Sequence, residues 1–135
     1  MPTVIAPDVL VNASISMGTP PQRAVDALLG CGDKSQVVVS EWVLERTAAM
    51  LSALPEFKVD ALGQHLDRIR ELVTIVAPDG NIPGPDAWQK ALVDAAKSGK
   101  AERVLTDHPD LLEVTGAEGV EFISTDAWLI ERSMP

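Results

Sequence analysis

The run Val37-Val38-Val39 narrows the fold more than any other stretch of this chain. Three consecutive β-branched residues with no polar alternation describe a strand covered on both faces, the condition of a parallel sheet flanked by helices. Ser40 follows at once and suits an N-cap, so the strand feeds a helix from Glu41 to about Leu54, in which Val43, Leu44, Thr47, Ala48 and Leu51 keep helical spacing. Pro55 stops that helix, and Val59 to Leu72 reads as another, with Leu62, Leu66, Ile69 and Val73 as its inner stripe.

The same alternation recurs along the chain. Val4 and Ile5, with Val9 to Val11 after an interruption at Ala6, Pro7 and Asp8, read as a first buried strand ending in a polar turn. Gly18 to Pro21 breaks the chain and opens a helix to about Leu29, with Thr19 as its cap; Cys31 to Lys34 reads as a turn. Val73 to Val76 is a third strand, and the proline- and glycine-rich segment from Ala77 to Pro85 is a surface loop. It leads into a helix whose apolar face is Trp88, Ala91, Leu92, Ala95 and Ala96. Arg103 to Leu105 is a fourth strand, followed by a short helix from about Pro109 that Thr106 or Asp107 can cap. Val120 to Ile123 and Ser124 to Arg132 supply the last strand and helix. Strand, helix, strand, two helices, strand, helix, strand, helix, strand, helix is the order of an α/β chain, with a central parallel sheet of about five strands and helices on both faces. The 135 residues fit one domain, residues 1–135.

Composition removes several function classes. Net charge is −9, with 20 acidic against 11 basic residues, which repels nucleic-acid phosphates unless a cation or a local basic patch intervenes. A lone cysteine, Cys31, builds neither an internal disulfide nor a cysteine zinc cluster. No apolar run approaches the roughly 20 residues of a membrane span, and the first ten residues lack a basic region before an apolar core, so the expected location is cytoplasmic. Phosphate-loop, dinucleotide, nucleophile-elbow and zinc-protease signatures are missing, and two histidines, His65 and His108, are too few for a histidine-rich metal site. His65, on a polar helix face, is expected in solvent.

What remains is acidic. Asp8 follows the first strand, Asp86 opens the helix after the loop, and Asp107 and Asp110 follow the fourth strand. Open α/β sheets place their binding crevice at such strand ends. Carboxylates converging there would suit Mg²⁺ or Mn²⁺ and hydrolysis of phosphodiesters. Each aspartate alone is equally at home as a turn former, helix-start residue or cap.

From VIAPDVLVNASI through GTPPQRAVDALL, VVVSEWVLERTAAML and VLTDHPDLLEV to GVEFISTDAWL, nearly the whole chain resembles the PIN domain, in its bacterial toxin-ribonuclease branch. The resemblance implies a three-layer α/β/α sandwich and a metal-dependent endoribonuclease with four acidic positions. Where the family reads DTNVLV this chain reads APDVLV, with Ala6 at the aspartate and Asp8 at the asparagine. The helical glutamate falls on Arg46, next to Glu45, and Asp86 matches the third acid. Where the family reads VTGDKDLL, LTDHPDLL puts His108 at the aspartate, between Asp107 and Asp110.

Two readings follow. In the first, Asp8, Asp86 and Asp107 hold Mg²⁺ or Mn²⁺, with Asp110 or Glu45 orienting water against RNA. In the second, favoured by an arginine at the centre, metal catalysis is lost and the crevice, with Arg46, His108 and Asn12, binds a phosphate-bearing ligand or a partner. The resemblance also implies a homodimer and a small antitoxin-like protein as partner.

Overall fold

The computed structural model describes residues 2–55, 59–78, 80, 82–115 and 118–133. Asp79 and Asn81 of the expected loop lie outside the described residues. Five strands, β1 (Thr3–Ile5), β2 (Val37–Ser40), β3 (Thr74–Val76), β4 (Arg103–Leu105) and β5 (Glu121–Ile123), form one sheet in the order β3-β2-β1-β4-β5. Every pairing is parallel, and one row of the register runs from Val38 through Val4 and Val104 to Phe122. Val37, Val38 and Val39 are all buried, as a strand covered on both faces requires.

Seven helices accompany the sheet among the described residues: α1 (Pro7–Ile15), α2 (Pro20–Leu29), α3 (Glu41–Ser52), α4 (Val59–Leu72), α5 (Trp88–Ser98), α6 (Pro109–Leu112) and α7 (Thr125–Ser133). The chain steps one way from β1 through β2 to β3, then returns across the sheet to β4. Right-handed crossovers therefore put α1 to α4 on one face and α5 on the other, giving a three-layer α/β/α sandwich. Packing agrees: α1 meets α2 and α3, α3 meets α4, α2 meets α7, and α5 lies over β1, β2 and β4. Ala91, Leu92, Ala95 and Ala96 are the buried face of α5. Its C-cap, Gly99, sits so close to Val38 that any Cβ there would collide with the valine methyls.

The structure departs from the sequence expectations at four places. The first is Thr19, which holds the N-cap position of α2 but makes no side-chain cap bond and donates its hydroxyl to the Ser16 carbonyl at 2.7 Å instead. The apolar residues Val9, Leu10 and Val11 belong to α1 rather than to the first strand, which ends at Ile5. Pro7 in the first turn has no N–H to leave unpaired and a backbone angle already suited to a helix, so the polar interruption is a helix start. Helix α6 is capped by His108, whose Nδ1 accepts from the Asp110 N–H, and not by Thr106 or Asp107. His65 is half-buried, with Nε2 2.7 Å from the Ser14 hydroxyl oxygen of α1, and burial lowers its pKa. The Glu41 helix ends at Ser52, before Pro55, and its Ser40 hydroxyl accepts from the Val43 N–H at 3.4 Å as a cap should. No helix among the described residues is long and apolar enough to cross a membrane.

Candidate functional site

The reversal of chain direction after β3 leaves β1 and β4 as the neighbours where the connections diverge, the place at which an open α/β sheet presents a crevice beyond its carboxyl ends. Asp8 stands there, in the first turn of α1, where a negative charge also meets the positive end of the helix dipole. One of its oxygens accepts from the Thr106 hydroxyl at 3.0 Å and the other from the Asp107 N–H at 2.9 Å. Asp107 in turn reaches the start of α7. Its two oxygens accept from the Thr125 N–H at 2.8 Å and the Thr125 hydroxyl at 2.7 Å. Thr106 and Thr125 are themselves buried, and the Thr106 oxygen also accepts from the His108 N–H at 3.1 Å.

This relay ties together the segments that leave β1, β4 and β5. The hydroxyls of Thr106 and Thr125 each donate a hydrogen bond to a carboxylate, and no described buried side-chain oxygen or nitrogen is left unpaired. Burial pushes the Asp8 carboxyl above its ordinary pKa of 3.8; hydrogen bonds from Asp107 and Thr106 oppose the rise, and the charge of Asp107 adds to it. Ala6, at the position of the family's first aspartate, is fully buried.

The ends of β2 and β3 are built differently. Trp42, in the first turn of α3, is 7% exposed, and its indole N–H donates to the Gly84 carbonyl at 3.0 Å, which anchors the loop before α5. Its ring meets Trp88 edge-on with centroids 5.7 Å apart, and Trp88 meets the His108 ring at 5.6 Å. The aromatic row thus joins the starts of α3, α5 and α6. Since His108 Nδ1 accepts from Asp110, the proton of its neutral ring is on Nε2. Arg46 is half-buried and lines a recess of about 240 Å³ with Trp42, Glu45, Pro83 and Pro85. Among the described residues its guanidinium has no hydrogen-bond or ion-pair partner.

The expected site residues therefore divide. Asp8 and Asp107 come together; Glu45 and Arg46 border one recess although they are adjacent on a helix; His108 stands at the end of the aromatic row. Asp86 is exposed in the turn before α5, two residues short of its first residue, and Asp110 and Asn12 are exposed on α6 and α1. Among the described residues, no group of three or more histidine, cysteine, aspartate or glutamate side chains is placed to hold a metal ion. Between them Asp8 and Asp107 accept four hydrogen bonds from protein donors.

Sequence reasoning missed Trp42, Thr106 and Thr125. Thr106 and Thr125 each follow a short apolar strand by one or two residues, and their hydroxyls at strand ends are the signal that could have found them. No family model matches the chain, and no curated protein matches it either.

Proposed function

We propose that this chain is a PIN-like domain that binds a phosphate-bearing ligand in its crevice and does not cleave it by metal catalysis. The observation that carries the proposal is the relay Asp8–Thr106–Asp107–Thr125, in which both acids nearest the crevice spend their oxygens on protein donors. Carboxylates committed in this way stabilise the strand ends instead of holding a cation. Arg46 supplies the complementary half. A guanidinium without a carboxylate partner, in a wall of tryptophan and proline, offers forked N–H donors of the kind that recognise phosphate, and it stands where the resemblance calls for a metal-binding glutamate.

A net charge of −9 makes such binding local and sensitive to salt, since the rest of the surface repels the ligand. The test uses a 5′-phosphorylated single-stranded RNA oligonucleotide with Mg²⁺ or Mn²⁺. The expected result is saturable binding, weakened about fivefold or more by Arg46→Ala through loss of a charge-assisted contact, with no cleavage above that of Asp86→Ala. Metal-dependent cleavage by the unmodified chain, abolished by Asp86→Ala, would establish the other reading, an active ribonuclease using Asp8, Asp86 and Asp107 with Mg²⁺ or Mn²⁺.

A further inference from the structure

Trp42, Glu45 and Pro83 line a second, larger recess as well as the one holding Arg46. It encloses about 410 Å³ between the start of α3, the edge strand β3 and the loop that follows β3. Ile75, Val76, Pro78 and Ile82 complete an apolar wall. Ile82 is 84% exposed and Ile75 37%, so this wall costs apolar surface in water. Among the described residues, every charged side chain lining the recess is a carboxylate: Glu41, Glu45 and Asp94. Glu41 holds Arg70 through two hydrogen bonds of 2.6 and 2.9 Å, and Asp94 holds Lys90 at 2.9 Å, but neither base lines the recess. Glu45 has no such partner among the described residues.

We infer that this recess binds a small organic cation: an apolar, aromatic or branched aliphatic body carrying one ammonium group that pairs with Glu45. The volume falls in the range of ligand sites, roughly 300 to 1,000 Å³, and a mostly apolar lining with one free charge is their usual chemistry. Trp42 adds an indole, the aromatic group that attracts organic cations best. The charge of the lining excludes an anion of the same shape. An extended peptide is a poorer occupant, because β3 offers a ladder of only three residues. The recess shares Trp42, Glu45 and Pro83 with that of Arg46, but Arg46 does not line it, and it takes a ligand of opposite sign.

Three probes of one shape separate the possibilities: 4-phenylbutylamine, 4-phenylbutanol and 4-phenylbutyrate. Each is titrated into the full chain while backbone and indole amide shifts are followed by NMR. The amine is expected to saturate with shifts at Ile75, Ile82 and the Trp42 indole, about tenfold or more tighter than the alcohol, with the butyrate weakest. Glu45→Gln should bring the amine down to the affinity of the alcohol and leave the alcohol unchanged. Ile82→Ser, a change at an exposed position, should weaken both. Equal affinity for amine and alcohol, a preference for the amine that survives Glu45→Gln, shifts confined to the Arg46 side, or binding of a lysine-flanked extended peptide without binding of the amine would each overturn the inference.

Discussion

The two halves of the crevice rim solve the same problem in opposite ways. Beyond β1, β4 and β5, polar groups face one another: two carboxylates and two threonine hydroxyls satisfy each other and two backbone N–H groups. Beyond β2 and β3, a guanidinium and a carboxylate stand without partners among the described residues beside tryptophan, proline and exposed isoleucine. A closed network contributes stability and has little left for a ligand. An open one contributes little stability and keeps its donors and apolar surface available. The proposed binding thus falls to the β2–β3 side and the hydrogen-bonded relay to the β1–β4–β5 side, even though the acids that drew attention in the sequence lie mostly on the latter.

The contrast can be broken most forcefully at Ala6. It is fully buried beside the relay, so Ala6→Asp, the residue the PIN resemblance would restore, forces an unpaired carboxylate into a dry site next to Asp8. A loss of at least about 3 kcal/mol in urea denaturation is expected. An Ala6→Asp protein as stable as the parent would mean that the rim accommodates a third acid there.

Asp8→Ala comes next. It removes an acceptor shared by the buried Thr106 hydroxyl and the Asp107 N–H, and a loss of about 2 to 4 kcal/mol follows from hydrogen bonds to a charged group and the desolvated donors left behind. A change below about 0.5 kcal/mol, the level of an ordinary surface substitution, would show that the relay is not structural.

Acid titration sharpens the comparison with an ordinary surface pair. Asp8 has its pKa raised in the folded protein, so its proton-linked stabilisation is complete below 3.8 and is lost as pH rises through the raised value. Glu41 has its pKa lowered by Arg70, so the stabilisation from that pair is present above 4.5 and is lost as pH falls through the lowered value. The advantage of the parent over Asp8→Ala should thus shrink as pH rises, and its advantage over Glu41→Gln should shrink as pH falls. Because the Arg70–Glu41 pair is substantially exposed, the second effect is a few tenths of a kcal/mol. Carboxyl carbon shifts followed through the titration check both directions, and a midpoint for Asp8 below 3.8 would contradict the first.

Arg46→Ala should be the mildest change. With no partner to lose among the described residues, its effect on stability is expected within about 0.5 kcal/mol, while RNA binding falls. A large stability loss with unchanged binding would place Arg46 in the scaffold.

Much of the scaffold is legible in the chain because short β-branched runs such as Val37 to Val39 fit only a doubly covered strand, and every strand position used to define the central row is apolar. The first helix is harder to read. Val9 to Val11 follow so closely on Val4 and Ile5 that apolar content favours strand, and only the position of Pro7 marks a helix start. The site is harder still. An aspartate that ligates and one that clamps look alike in sequence, since the difference lies in whether donors from distant segments reach its oxygens. Asp8 depends on Thr106, and Asp107 on Thr125, partners that only the finished sheet brings within reach.

Manganese gives the most direct test of whether those oxygens are committed. Mn²⁺ is added to ¹⁵N-labelled protein at up to equimolar concentration, and paramagnetic broadening of the backbone amides is mapped. If Asp8 and Asp107 are clamps, broadening stays weak and diffuse, following the general negative charge of the surface, and the amides of Asp8, Asp107 and Thr125 remain sharp. Saturable broadening centred on Asp8, Asp86 and Asp107, removed by Asp8→Asn, would show a cation site at the strand ends and contradict the account.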